Sequence, residues 1–125
     1  MIHDYKDSMG RADFRVKYLW LAVPGSDFVH SRFQHMRCDF AYRSDDIQET
    51  GIFMIWPQFE DEDQIPLPKN AEVPIEGTAS MWIVNREHYA DYHRARIDGD
   101  TQGFMMAGSR KLAEVSVIEL LRLAD

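Results

Sequence analysis

The sequence predicts an all-β domain, a small barrel or sandwich. Three observations point there: six short runs rich in aromatic and β-branched residues, apolar alternation with a period of two inside several of them, and Gly- or Pro-bearing stretches between them. At 125 residues the chain fits one domain with room for a real core. Hydrophobic residues make up 45% and charged ones 28%, which excludes a disordered chain. No internal repeat or low-complexity tract interrupts it.

Residues 1–13 are polar and without period, so a mobile leader is expected there, with the domain over 14–125. FRVKYLWLAV, 14–23, reads as the first strand, stopped by Pro24 and Gly25, with both faces apolar enough to be covered. RCDFAYR, 37–43, sets Cys38, Phe40 and Tyr42 against Asp39, Ala41 and Arg43. TGIFMIWP, 50–57, is an apolar run ending at Pro57. The stretch 58–77 is expected to be mostly loop, because Pro66, Pro68 and Pro74 cannot donate to a central ladder and acids crowd around them. TASMWIVN, 78–85, is the next strand. The mixed segment 86–100 suits a short helix or ordered loop, with Asn85 as a candidate N-cap.

The last two strands, 103–107 and 111–121, meet at Gly108 and Ser109. Leu, Ala and Glu in the second of them are good helix formers. The alternation of Ala113, Val115 and Val117 with Glu114 and Ser116, after a glycine turn, favours a hairpin instead. The alternation slips after Val117, as a β-bulge would make it do.

Most catalytic chemistry lacks its residues. Neither GxxxxGK[ST] nor GxGxxG occurs, so nothing offers backbone N–H groups to a nucleotide phosphate. Ser26 and Ser109 follow glycine outside any GxSxG elbow and read as turn residues. His88 and His93, five apart, would point about 140° away from each other on a helix. His30 and His35 share that spacing with Cys38 nearby, the best candidate set for a metal-dependent hydrolase. Cys38 itself reads as a buried, inert thiol, and the acids at 60–63 lack the glycine-centred spacing of a calcium loop.

A net charge of −7 opposes general nucleic-acid binding, which depends on neutralising phosphates. No apolar run approaches the roughly 20 residues that span a bilayer, and the N-terminus has no apolar signal core. A single cysteine allows no internal disulfide, so the cytoplasm is the expected location.

Two stretches resemble the C-terminal, third domain of elongation factor Tu. In VHSRF and MRCDFAYRSDDIQETG, the residues His30, Phe33, Arg37, Phe40, Arg43, Asp46, Thr50 and Gly51 follow its pattern in order, with a two-residue insertion before Thr50. In TQGFMMAGSRKLAEVSVIEL, Gly103, Phe104, Gly108, Arg110, Val115 and Val117 follow the closing hairpin. With YLWLAV as the opening strand, the resemblance covers about 14–121. It implies a closed six-stranded Greek-key barrel carrying the 86–100 insertion. It implies no GTP chemistry, because the GTPase domain has no counterpart here.

In that family the domain contacts the T-stem of transfer RNA and partner proteins. His30 and Thr50 match positions near the T-stem, but Asp39 stands where the family has glutamine and Ser109 where it has glycine, and a carboxylate beside phosphate is repulsive. The expectation is therefore a non-catalytic, cofactor-free module that binds an unidentified protein. Its contact candidates are His30, Arg32, Arg37, Arg43, Thr50, Trp82 and Arg110, types that include those enriched at binding hot spots. A transfer-RNA-contacting accessory protein is the alternative, and a small metal-dependent hydrolase using His30, His35 and Cys38, or His88 and His93, is the second.

Overall fold

A computed structural model of the chain describes residues 5, 9–21 and 32–125. Six strands, β1 (Phe14–Trp20), β2 (Asp39–Tyr42), β3 (Ile55–Glu60), β4 (Glu76–Ile83), β5 (Gln102–Ala107) and β6 (Arg110–Leu120), form one antiparallel sheet in the order β2-β5-β6-β1-β4-β3. Helices α1 (Ile47–Thr50) and α2 (Arg86–Arg96) and a 3-10 turn over Arg122–Ala124 accompany it among the described residues. The sheet curls into a half-barrel around a core that includes Phe14, Val16, Tyr18, Phe40, Ile55, Phe59, Met81, Met105 and Val115. Among the described residues no helix is long and apolar enough to cross a membrane.

The period of two drives this arrangement. Phe14, Val16, Tyr18 and Trp20 enter the core from β1, while Lys17 and Leu19 are exposed between them, so the outer face of this strand is less covered than its composition suggests. β5 and β6 form the expected hairpin, with Ala107 paired to Arg110 across Gly108 and Ser109. Gly108 has φ +59, as the first central residue of a II′-type turn requires. The slip after Val117 is a bulge: Arg15 pairs with Glu119 but Val16 with Val117, leaving Ile118 as the extra residue. A second register shift lies between Met105 and Met106. Gly103 is fixed by close approach, since a Cβ there would sit 2.6 Å from both the Ala41 carbonyl oxygen and the Phe40 ring.

Several boundaries differ from expectation: β2 is confined to Asp39–Tyr42, and β4 starts at Glu76, inside the expected loop. β3 does not stop at Pro57 but runs through it to Glu60. It is an edge strand of the sheet, where a residue without an N–H is tolerated. Ahead of it, Thr50, expected to open the apolar run 50–57, instead ends a helical turn over 47–50, capped by Asp46, whose carboxylate accepts from the Gln48 N–H, and closed at Gly51 with φ +74. The 86–100 segment holds α2. Asn85 occupies its N-cap position, though the Asn85 side chain makes no capping bond.

The two edges of the sheet approach each other. Phe40 and Phe53 exchange both backbone hydrogen bonds at 2.8 Å, although β2 and β3 share no longer ladder. Farther along β3, the buried amide of Gln34 takes the place of a neighbouring strand. Its Oε1 accepts from the Phe59 N–H at 2.8 Å and its Nε2 donates to the Phe59 carbonyl at 2.8 Å and the Leu67 carbonyl at 2.9 Å. A fourth bond, from the His35 N–H, fills the amide's capacity.

Asp13, the last residue of the expected leader, is fully buried. Its N–H donates to the Met81 carbonyl, and its carboxylate accepts from the Ile83 N–H and from Arg86 at 2.7 and 2.8 Å. The start of β1 is thereby tied to the start of α2.

Candidate functional site

Three side-chain assemblies stand out, and each follows from register. On the outer face, β3, β4, β1 and β6 bring Glu60, Thr78, Ser80, Arg15 and Glu119 together. The Glu60 carboxylate accepts from Arg15 Nε at 2.9 Å and Nη2 at 3.1 Å, from Thr78 at 3.0 Å and from Ser80 at 2.8 Å, while Glu119 takes another Arg15 N–H. A buried carboxylate with four donors is saturated, so it is a structural cross-tie rather than a general base.

The second assembly lies under α2. His93 is fully buried, with Nδ1 2.5 Å from the Tyr42 hydroxyl and its ring edge-on to Phe53. Burial, reinforced by the positive charge of Arg96, lowers the His93 pKa to about 4. Burial also raises the Tyr42 phenol above its ordinary value, so at neutral pH a protonated phenol donates to a neutral imidazole. Arg96 lies 3.7 Å over the Tyr42 ring, donates to both Asp45 oxygens at 3.0 and 2.9 Å, and reaches the Tyr92 hydroxyl at 2.6 Å. Neither a buried neutral phenol nor a weakly basic imidazole is an effective nucleophile at neutral pH. The cluster fastens α2 to β2.

The third assembly is on the outer side of β3 and β4, where Trp56 and Trp82 stand opposite each other. The Arg37 guanidinium lies 4.6 Å from the Trp56 ring centre, and Met54, two residues before Trp56, is 50% exposed. Tyr5 packs against Trp82 at 5.5 Å, Trp56 at 6.1 Å and His35 at 4.5 Å, between ring centres. Trp82 Nε1 donates to the Gly10 carbonyl at 3.0 Å.

The residues expected from sequence to make contacts do not form one patch. His30 lies outside the described residues, as does the side chain of His88. Arg32 is buried, and its Nε–H donates to the Val73 carbonyl at 3.0 Å, tying its loop to the one between β3 and β4. Trp82 is buried too, at 3% exposure, although it points away from the core. Arg43 is exposed and bonds Gln102 at 2.7 Å. The exposed Thr50 hydroxyl donates within its own turn, to the Asp46 or Gly51 carbonyl at 3.1 Å. Arg110 is exposed beside the hairpin turn, on a different part of the sheet from Arg37. Of the seven, Arg37 and Trp82 meet in the aromatic assembly, through Trp56.

Trp56, Met54 and Tyr5 were not legible as site residues. The available signal was the spacing of Met54 and Trp56, which puts two large side chains on one side of an extended run. His35 is engaged with Gln58, at 2.8 Å between Nε2 atoms, and Cys38 is buried with its thiol pushed up to about 12 by burial. Among the described residues no group of three His, Cys, Asp or Glu side chains could hold a metal ion. No protein-family model matches the chain, and no curated protein matches it.

Proposed function

We propose that the chain is a non-catalytic, cytoplasmic protein-binding module. In this reading it is a closed Greek-key barrel like the C-terminal domain of elongation factor Tu, used without GTP or any cofactor. Closure is supported by the reciprocal Phe40–Phe53 pair, in which β2 and the residues just ahead of β3 exchange backbone hydrogen bonds.

The observation that carries the binding reading is Arg37 stacked on Trp56 beside the half-exposed Met54. Arg, Trp and Met are enriched at protein interfaces, and a guanidinium held over an indole is ordered before it binds, so less side-chain entropy is lost on contact.

The test is a pull-down from the protein's own cell lysate, with and without nuclease, using the native chain and the Arg37→Ala and Met54→Asp variants. A protein retained after nuclease by the native chain and lost by both variants supports the module. Recovery of transfer RNA, or a partner that disappears with nuclease, points instead to the nucleic-acid reading.

A further inference from the structure

Trp82 presents a contradiction that identifies what the aromatic face accepts. It alternates with Met81 and Ile83, so it points outward, yet it is 3% exposed. Three things cover it: Trp56 across the ladder, the Tyr5 ring set edge-on at 82°, and the Gly10 carbonyl that takes its indole N–H. Two of the three belong to the N-terminal stretch, which the buried Asp13 anchors to the sheet.

Of the described residues there, Tyr5 makes ring contacts and a long bond of 3.4 Å from its hydroxyl to the His35 carbonyl, Gly10 supplies an acceptor, and Arg11 pairs with Asp125 at 3.1 Å. Beside Trp82 the surface continues into a hollow of about 350 Å³ bordered by Gln58, Gln64, Pro66 and Arg11, with space for a neighbouring side chain of a longer segment.

We propose that the outer face of β3 and β4 is a recognition site for a tyrosine-bearing peptide segment, which the chain's own Tyr5 and Gly10 occupy in cis. The partner places an aromatic ring between Trp82 and His35 and a backbone carbonyl on Trp82 Nε1. It must displace Tyr5 to do so, and its apparent affinity falls by the fraction of chains in which the face is already filled. This deepens the protein-binding reading and rests on the same face.

The probe is a synthetic peptide of residues 1–11, titrated into isotope-labelled full-length protein while the Trp82 indole N–H resonance is followed by NMR. In the Tyr5→Ala chain that resonance should move from its native position, and the peptide should restore it. The native chain should need roughly tenfold more peptide for the same occupancy. A peptide carrying Tyr5→Ala should do nothing, and Trp82→Phe, which keeps a ring but loses the donor, should weaken binding as read from the neighbouring Trp56 indole N–H resonance.

The proposal is overturned if Tyr5→Ala leaves the Trp82 resonance in place, or if the peptide binds both chains equally or neither. It is also overturned if the native chain forms a concentration-dependent dimer that Tyr5→Ala abolishes, since the occupant would then be a second copy's arm. The pull-down fails separately. Peptide binding without any captured protein would leave the recognition site standing and remove the cellular partner.

Discussion

The assembly under α2 and the face covered by Tyr5 use the same kinds of residue to different ends. Each sets an arginine over an aromatic ring, Arg96 on Tyr42 and Arg37 on Trp56, and each includes a histidine. Under α2 the histidine is fully buried, and the arginine has a carboxylate partner in Asp45. On the outer face Arg37 is exposed, and much of the cover over Trp82 comes from Tyr5 and Gly10. The difference shows that an Arg–aromatic stack is not a functional signal by itself. What separates the two is where the cover comes from: α2 and the Asp45 carboxylate on one side, residues ahead of β1 on the other.

Substitution should make that difference measurable. His93→Ala should cost about 3 kcal/mol, because it empties a fully buried site and leaves the Tyr42 hydroxyl without its acceptor; urea denaturation reads this directly. Acidification should reach a similar size. The folded His93 pKa, about 4, lies below the usual 6.5, so the unfolded chain takes up the proton first as pH falls. The stability that neutral His93 contributes is fully present above about pH 6.5 and is lost toward pH 4, by up to about 3 kcal/mol. The difference between the stability–pH profiles of the native chain and His93→Phe should isolate it.

Asp45→Ala should cost about 2 kcal/mol, by removing the bidentate partner of a partly buried arginine. Tyr5→Ala should cost about 1 kcal/mol or less, yet expose Trp82, seen as a red shift in tryptophan emission and easier quenching by acrylamide. Should Tyr5→Ala instead cost as much as His93→Ala, the contrast between fastened and displaceable would collapse. Arg110→Ala should stay within about 0.5 kcal/mol and leave the emission unchanged.

Features decided by neighbours in sequence were legible. The β5–β6 hairpin follows from Gly108, Ser109 and the alternation after them, and the bulge at Ile118 follows from the slip after Val117. Features decided by remote partners were not. Pro57 reads as a stop until its strand is known to lie at the sheet edge. Arg32 and Trp82 read as surface residues until Val73 and Gly10 supply their acceptors, 41 and 72 residues away. α1 was available from the Asp46 cap and Gly51, but four residues carry too little periodicity to mark a helix. For the candidate site, sequence reasoning named Arg37 and Trp82 but not the Trp56 between them, because nothing local places 37, 56 and 82 side by side.

Gln34 has a consequence outside folding and binding. An uncovered strand edge is a template on which another chain can lay a strand and begin a fibre or precipitate. At Phe59 both backbone groups that could seed such growth are taken by one side-chain amide, and the Leu67 N–H shares the carbonyl at 3.0 Å. One glutamine thus acts on the colloidal behaviour of the protein, by leaving an incoming strand no free donor or acceptor at that point.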